Sequence, residues 1–89
     1  MARYELNDVE GAVIGSEGAS ADVFFRLGMM YATGRSVSPD LVAAHKWFNV
    51  AALRGNREAV RYRTEIADEM SRDELSAALA AARAYLSAA

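Results

Sequence analysis

The single histidine is the side chain of this sequence best suited to acid–base chemistry near neutral pH. A histidine that transfers protons needs a carboxylate or hydroxyl held beside it, and the spacing around His45 indicates no such partner. The chain has no cysteine, so it can form no thiolate nucleophile, disulfide or sulfur-ligated zinc site. We therefore expect His45 to lie partly exposed on a helix, and we expect no enzymatic activity, no metal and no cofactor.

Four carboxylates lie close together in the sequence, at Asp68, Glu69, Asp73 and Glu74, and could form a cation site. Ser71 and Glu74, however, have the spacing of a capping box, in which each side chain accepts the other residue's backbone N–H at a helix start. Acidic residues in the first turn of a helix also interact favourably with the helix dipole. The spacing therefore favours a helix start over a metal or catalytic site.

A compact basic group consists of Arg54, Arg57 and Arg61, of which the last two lie one helical turn apart. This group has two interpretations, a solvated helix face paired with nearby glutamates or a contact surface for an acidic peptide. The formal net charge of −2 argues against nucleic-acid binding, because such binding draws its affinity from many neutralised phosphates. We expect a protein or peptide partner, and no nucleic acid.

Length and composition predict a single helical domain. With 89 residues, of which 53% are hydrophobic, the chain can form one core and therefore one domain over residues 1–89. One proline, six glycines and many alanines favour packed helices over a turn-rich β fold. The acidic start is unlike an export signal, and no run approaches the ~20 apolar residues that span a bilayer. We expect a cytoplasmic protein that does not bind membranes.

Helix-boundary residues divide the chain clearly after residue 19. Ser20 begins a first amphipathic helix that ends at Gly34, since glycine enters the left-handed backbone region without steric cost. Ser38, at the cap, and Pro39, at the first helical position, begin a second helix that ends at Gly55. Because the connection between these helices is short, we expect them to be antiparallel neighbours.

Two further helices follow, and a weaker one precedes. Asn56 is a suitable cap for a third helix, and Ser71 is one for a fourth. Before residue 19, Asn7 and Glu10 have capping-box spacing, but three glycines between residues 11 and 18 weaken any helix there. We expect a short helix near residues 7–14 that covers the outer side of the first long helix.

The stretch from residue 21 to residue 55 carries small and aromatic residues in a characteristic order. They are Leu27, Gly28, Tyr31, Gly34, Asp40, Ala44, Trp47, Ala51, Ala52 and Gly55. This pattern resembles the Sel-one-like repeat family (SLR), a tetratricopeptide-like α/α solenoid, and departs from it at Ser36, where glycine is usual. Gly28 makes sense in mid-helix if the second helix approaches too closely for a Cβ atom. Ala44, Ala51 and Ala52 would supply the matching flat face.

The resemblance implies an all-α fold, a short α/α superhelix of stacked helical hairpins with about four main helices and a short N-terminal one. Residues 1–19 would be an N-terminal capping segment, 20–55 a full repeat and 56–89 an atypical closing helix pair. Solenoid repeats bury their apolar faces on neighbouring repeats and usually need about three. A chain with one full repeat needs either such caps or a second copy of itself, and we favour caps.

The resemblance also implies a function, because proteins of this family generally act as non-enzymatic adaptors whose curved helical face holds another protein or a peptide. The candidate partner contacts are Phe24, Arg26, Met29 and Thr33 on the first long helix, with Arg57 and Arg61 for an acidic partner. Phe24 has a second interpretation, as a core residue under the N-terminal segment. The alternative function is a structural homodimer joined through Val50 or Leu53.

Overall fold

Five α-helices make up the described part of the chain, which in the computed structural model comprises residues 3–88, with side chains from residue 9 onward. The helices are α1 (Arg3–Glu17), α2 (Ala21–Thr33), α3 (Leu41–Leu53), α4 (Arg57–Ala67) and α5 (Arg72–Ala88). Residues 3–88 contain no strand, so the all-α prediction is confirmed. Within the same residues, no helix combines the length and the apolar character that a membrane crossing requires.

An antiparallel hairpin of α2 and α3 lies at the centre of the fold, as the short connection predicts. Near its turn, the Asp40 backbone N–H donates to the Tyr31 carbonyl at 3.0 Å. At its other end, the Asn56 side-chain amide donates to the Asp22 carboxylate at 3.1 Å. The α3 helix is central because α2, α4 and α5 all pack against it. The predicted closing pair therefore differs from a hairpin, since α4 and α5 each contact α3 more extensively than they contact each other.

Side-chain caps set most helix ends where the sequence predicts them. The Ser20 and Asn56 side chains each accept a backbone N–H from three residues further on, at 3.2 and 3.0 Å. Ser71 and Glu74 form the predicted capping box, with N–H to side-chain distances of 2.8 and 3.1 Å. Gly34 ends α2 with a φ of 78°, a left-handed conformation that glycine adopts freely.

The predicted start of α3 at Ser38 and Pro39 is wrong. The cap is Asp40, whose carboxylate accepts a backbone N–H from three residues further on at 3.0 Å. Pro39 lies before the helix and packs over Gly34, since a Cβ atom built on Gly34 would come within 2.7 Å of its Cγ. The proline ring closes the turn between the two helices, and the helix starts only after it.

The α1 helix is longer than the predicted segment at residues 7–14. Gly11 and Gly15 are exposed, and a Cβ atom built on either would meet no other side chain or helix within 4 Å. They therefore weaken α1 without interrupting it. Val13 and Ile14 pack against the core, and the Glu10 carboxylate accepts hydrogen bonds from α2 and α3. These contacts hold α1 against the hairpin.

The core contains two aromatic clusters that α2 and α3 share. The first cluster consists of Phe24 of α2, Trp47 of α3 and Tyr85 of α5. The second consists of Phe25 of α2, Phe48 of α3 and Tyr62 of α4. Ring centroids within each cluster lie between 4.9 and 5.7 Å apart, the spacing of favourable aromatic pairs. Neighbouring aromatic residues of the hairpin thus pack against two different helices, α5 in the first cluster and α4 in the second.

Gly28 lies at the predicted close contact between α2 and α3. A Cβ atom built on Gly28 would lie only 2.5 Å from the Phe48 ring. The prediction of a close approach is confirmed, but the nearest neighbour is this ring and not the expected face of alanines. Ala44 and Ala51 are fully buried in the core, and Ala52 is half-buried.

Candidate partner-binding site

An open cleft of about 620 Å³ runs along α2 and the turn that follows it. Its helical residues lie three, one and three positions apart, so they share one face of α2. The turn folds back beside this face because the Arg35 N–H donates to the Met30 carbonyl at 3.0 Å. The lining residues are Arg26, Met29, Met30, Thr33, Gly34, Arg35 and Ser36.

The cleft combines apolar side chains with positive charge. Met29 and Met30 are half-buried and pack against the core. The Thr33 hydroxyl donates to the Met29 carbonyl at 2.8 Å, so its hydrogen is already used in a bond within α2. Arg26 and Arg35 are exposed, and Arg26 forms an ion pair with Glu17 of α1. The arrangement suits a ligand that carries both an apolar side chain and a carboxylate.

Three of the predicted partner contacts meet in this cleft, namely Arg26, Met29 and Thr33. Phe24 does not, and the prediction that it contacts a partner is wrong. Its side chain is 0% exposed and stacks on Trp47, with ring centroids 5.5 Å apart. Its second interpretation is correct in placing it in the core, but its ring partners are Trp47 of α3 and Tyr85 of α5 and not the N-terminal segment.

Met30, Arg35 and Ser36 also line the cleft, and the sequence did not predict them. Met30 matches the periodicity of the buried face of α2, so its partial exposure could not be predicted from spacing. Arg35 and Ser36 follow the glycine at the end of the helix, where Ser36 adopts a φ of 70°. The signal that points to them is Gly34, because a left-handed residue at a helix end returns the chain toward the last turn.

Arg57 and Arg61 lie on α4 and are not among the residues that line the cleft on α2. Both are exposed. The Arg61 guanidinium is 4.0 Å from the Glu65 carboxylate, one turn further along, and 5.1 Å from the centroid of the Tyr62 ring. A solvated helix face accounts for Arg61, and a contact of either arginine with a partner remains a prediction.

The two residues predicted for self-association lie in different environments. Val50 is 0% exposed, so the prediction that it contacts a second copy is wrong. Leu53 is 64% exposed and lines a cavity of about 350 Å³ between α3 and α5, together with Leu79 and Leu86. Val50 is buried because α3 is covered on three sides by other helices.

His45 is only 3% exposed, so the expectation of a surface position is wrong. Its burial and the positive charge of Arg63 lower the pKa of His45, which keeps the imidazole neutral at pH 7. Nδ1 is buried and has no hydrogen-bond partner among the described side chains. Within the described residues, no group of three or more metal-ligating side chains is placed to hold a metal ion.

Comparison of the chain with models of protein families, with curated proteins and with solved structures found no match. The resemblance to the SLR family therefore remains a prediction based on its repeat pattern.

Proposed function

We propose that this protein is a non-catalytic interaction module that binds an acidic peptide segment of another protein in the cleft on α2. The proposal is supported by the presence in one cleft of two half-buried methionines and two arginines. Methionine is flexible and polarisable, so Met29 and Met30 can pack around apolar side chains of different shapes. Arg26 and Arg35 would hydrogen-bond carboxylates beside those side chains.

The cleft is formed mainly by a helix that is already rigid. Ser20 and Gly34 cap α2 at its two ends, and the packing of Gly28 against Phe48 fixes the helix on α3. A ligand would therefore bind without ordering the protein, which lowers the entropic cost of association.

The two arginines differ in their availability to a ligand. Arg26 already pairs with Glu17, so a ligand carboxylate has to compete for it. Arg35 forms no ion pair with the described side chains of residues 9–88. We expect Arg35 to contribute more than Arg26 to the affinity for an acidic peptide.

Selection of short random peptides displayed on phage, with the purified protein as bait, tests the proposal. We expect the recovered peptides to carry an apolar residue close to one or more acidic residues. Binding of a labelled recovered peptide, measured by fluorescence anisotropy, should weaken about tenfold or more in Met29→Asp, which loses an apolar anchor and gains a negative charge. It should also weaken in Arg35→Glu.

Arg72→Glu is the matched control for Arg35→Glu, since it makes the same charge change at an exposed residue of α5, outside the cleft. We expect it to leave binding nearly unchanged. Equal losses in Arg35→Glu and Arg72→Glu would indicate an effect of net charge and contradict the proposed site. Recovered peptides without acidic residues, or binding that Met29→Asp does not affect, would contradict the proposal as well. The melting temperature of each variant identifies losses caused by unfolding.

A structural homodimer is the second candidate function, favoured by the exposure of Leu53 (64%) beside Leu79 (41%). Exposed apolar patches often mark surfaces that a second copy of the chain covers. Sedimentation over a range of concentrations tests this function, and Leu53→Asp should convert a dimer into a monomer. A wild-type protein that is monomeric at every concentration would contradict it.

The proposal extends to the architecture and to the place of action. We infer that residues 20–55 form one full repeat of a short α/α superhelix that resembles the SLR fold and acts in the cytoplasm without a cofactor. Two observations on the residues of the repeat pattern support this inference. Its large residues Leu27, Tyr31 and Trp47 are buried. Its glycines Gly34 and Gly55 have a positive φ at the ends of helices.

Duplication of residues 20–55 within the chain tests the repeat. Stacked repeats stabilise one another through their interfaces, so the longer chain should unfold in one cooperative transition at a higher temperature. Loss of cooperative unfolding would contradict the inference.

A further inference from the structure

A cavity of about 310 Å³ lies between α3, α4 and α5, away from the cleft on α2. Its polar side chains come mainly from His45 and Asn49 on α3 and from Arg63 on α4, and its apolar wall comes from Leu75 and Leu79 on α5. The proposed peptide-binding function does not use this cavity.

The polar side of this cavity offers hydrogen-bond donors. Arg63 Nη1 donates to Asn49 Oδ1 at 2.7 Å, which occupies the amide oxygen of Asn49 and leaves its NH₂ group as a donor. Arg63 is half-buried and forms no ion pair with the described side chains of residues 9–88. Beside them, the buried Nδ1 of His45 has no partner. Because this nitrogen is closed to solvent, the donors open to a ligand in the cavity are those of Arg63 and Asn49.

The apolar side of the cavity continues beyond it. Asn49 and Leu79 also line the neighbouring cavity of about 350 Å³ between α3 and α5. That cavity adds Leu53 and Leu86, so a strip of leucines leads away from the donors, and the exposed Arg83 also lines it. Asp68 lines the first cavity as well, but it is exposed and belongs to the turn after α4. Its negative charge repels a carboxylate, so a bound carboxylate should lie at Arg63 and Asn49 and not beside Asp68.

We propose that these two adjoining cavities bind a small aliphatic monocarboxylate, whose carboxylate accepts hydrogen bonds from Arg63 and Asn49 and whose chain lies along Leu79 toward Leu53. A guanidinium and an amide donor match the two oxygens of a carboxylate. The leucine strip matches an unbranched hydrocarbon chain, because its side chains would be removed from water by the ligand.

Titration of the intact protein with hexanoate and octanoate at pH 7.5, followed by two-dimensional NMR, tests this proposal. The chain has one histidine, so the imidazole signals of His45 report on the polar end of the cavity without overlap. We expect saturable shifts there and at the methyl groups of Leu79. Octanoate should bind more tightly than hexanoate, with an upper limit of about fourfold for each fully buried methylene group. 1-Octanol has the same chain without the charge and should bind clearly more weakly than octanoate.

Substitutions separate a specific site from a general apolar surface. Arg63→Gln should abolish most of the octanoate binding, whereas Arg61→Gln, the same change on the exposed part of α4, should have little effect. Because Arg63 also bonds Asn49, Leu79→Ser provides a variant that keeps this hydrogen bond and should remove most of the gain from the longer chain. Absence of saturable shifts with octanoate, equal binding of 1-octanol, or equal effects of the two arginine substitutions would overturn the proposal.

Discussion

The Glu10 carboxylate accepts a hydrogen bond from the indole Nε1 of Trp47 at 3.0 Å. The same oxygen of Glu10 accepts the hydroxyl of Tyr31 at 2.7 Å. Tyr31 and Trp47 are each 1% exposed, and they belong to the two helices of the central hairpin. One side chain of α1 therefore satisfies the polar atoms of two core residues, which joins the N-terminal helix to the hairpin.

Glu10→Ala should lower the free energy of unfolding by about 1.5–3 kcal/mol, because it leaves the polar atoms of Tyr31 and Trp47 without their acceptor. Urea denaturation followed by circular dichroism measures this loss. Glu69→Ala, a change of an exposed glutamate, is the control and should cost no more than about 0.5 kcal/mol. Similar small losses in the two variants would show that the Glu10 contacts do not stabilise the fold.

Tyr31 should ionise at a higher pH than an ordinary phenol. Its burial and then its hydrogen bond to Glu10 raise the pKa of Tyr31 above the ordinary value of 10.0. A raised pKa in the folded state gives stability that is fully present below pH 10 and is lost as the pH rises through the folded value. Ultraviolet titration of the phenols should show a tyrosine that ionises well above pH 10 or only on unfolding. In Glu10→Gln, which removes the negative charge, this pKa should fall, and no fall would contradict the interpretation.

Gly28→Ala and Gly11→Ala should change stability in opposite directions. The new Cβ atom at position 28 would lie 2.5 Å from the Phe48 ring, so the hairpin must shift, at a cost of about 1–3 kcal/mol. At position 11 the Cβ atom meets nothing within 4 Å, and alanine should stabilise the exposed helix by about 0.5–1 kcal/mol. Thermal unfolding of both variants measures the difference. A stabilising Gly28→Ala would contradict the close approach of α2 and α3.

Helix ends were predictable from the sequence where they depend on local hydrogen bonds. Ser20, Asn56 and the Ser71–Glu74 capping box involve residues at most three positions apart, so their spacing is sufficient evidence. The start of α3 was not predictable in this way. Pro39 packs over Gly34 on the other side of the turn. The identity of the residues at a helix start gives no information about such a contact.

Burial on the central helix was harder to predict, because it depends on how many helices cover α3. Helical periodicity identifies one buried face, which fits Trp47 and Ala51. His45 and Val50 are buried as well, since α4 and α5 cover further sides of the helix. For a helix with three neighbours, a variable position in a repeat pattern does not indicate exposure.

The candidate cleft was predictable for part of its helical face only. Arg26, Met29 and Thr33 share one face of α2, and spacing alone brings them together. Arg35 joins them through the turn after Gly34, whose conformation depends on the packing of the hairpin. The role of Glu10 had no local signal, because its two hydrogen-bond partners lie on other helices.

Ser36→Gly should stabilise the protein by about 0.5–1 kcal/mol. Ser36 has a φ of 70°, a conformation that costs an ordinary residue energy and that glycine adopts freely. Ser38→Gly is the matched control, because Ser38 lies in the same turn without a positive φ. It should be neutral or destabilising, since glycine adds conformational entropy to the unfolded chain. Denaturant unfolding of both variants measures the effect, and an equal outcome would show that Ser36 is not strained.

Stability should decrease as the pH falls below about 6.5, because the folded protein disfavours the charged form of His45. Burial and the charge of Arg63 lower the pKa of His45 in the folded state, while Asp68, the acidic residue of the same cavity, is exposed and screened by water. As the pH falls, His45 of the unfolded chain, with its ordinary pKa of 6.5, binds a proton before His45 of the folded chain does. The contribution of His45 to stability is therefore fully present above pH 6.5 and is lost as the pH falls below it. Urea unfolding at several pH values should show a shallower pH dependence in His45→Gln than in the wild type. The chain has no other histidine. If the pH dependence of unfolding in His45→Gln equals that of the wild type, the effect comes from carboxylates, which would contradict a neutral, buried His45.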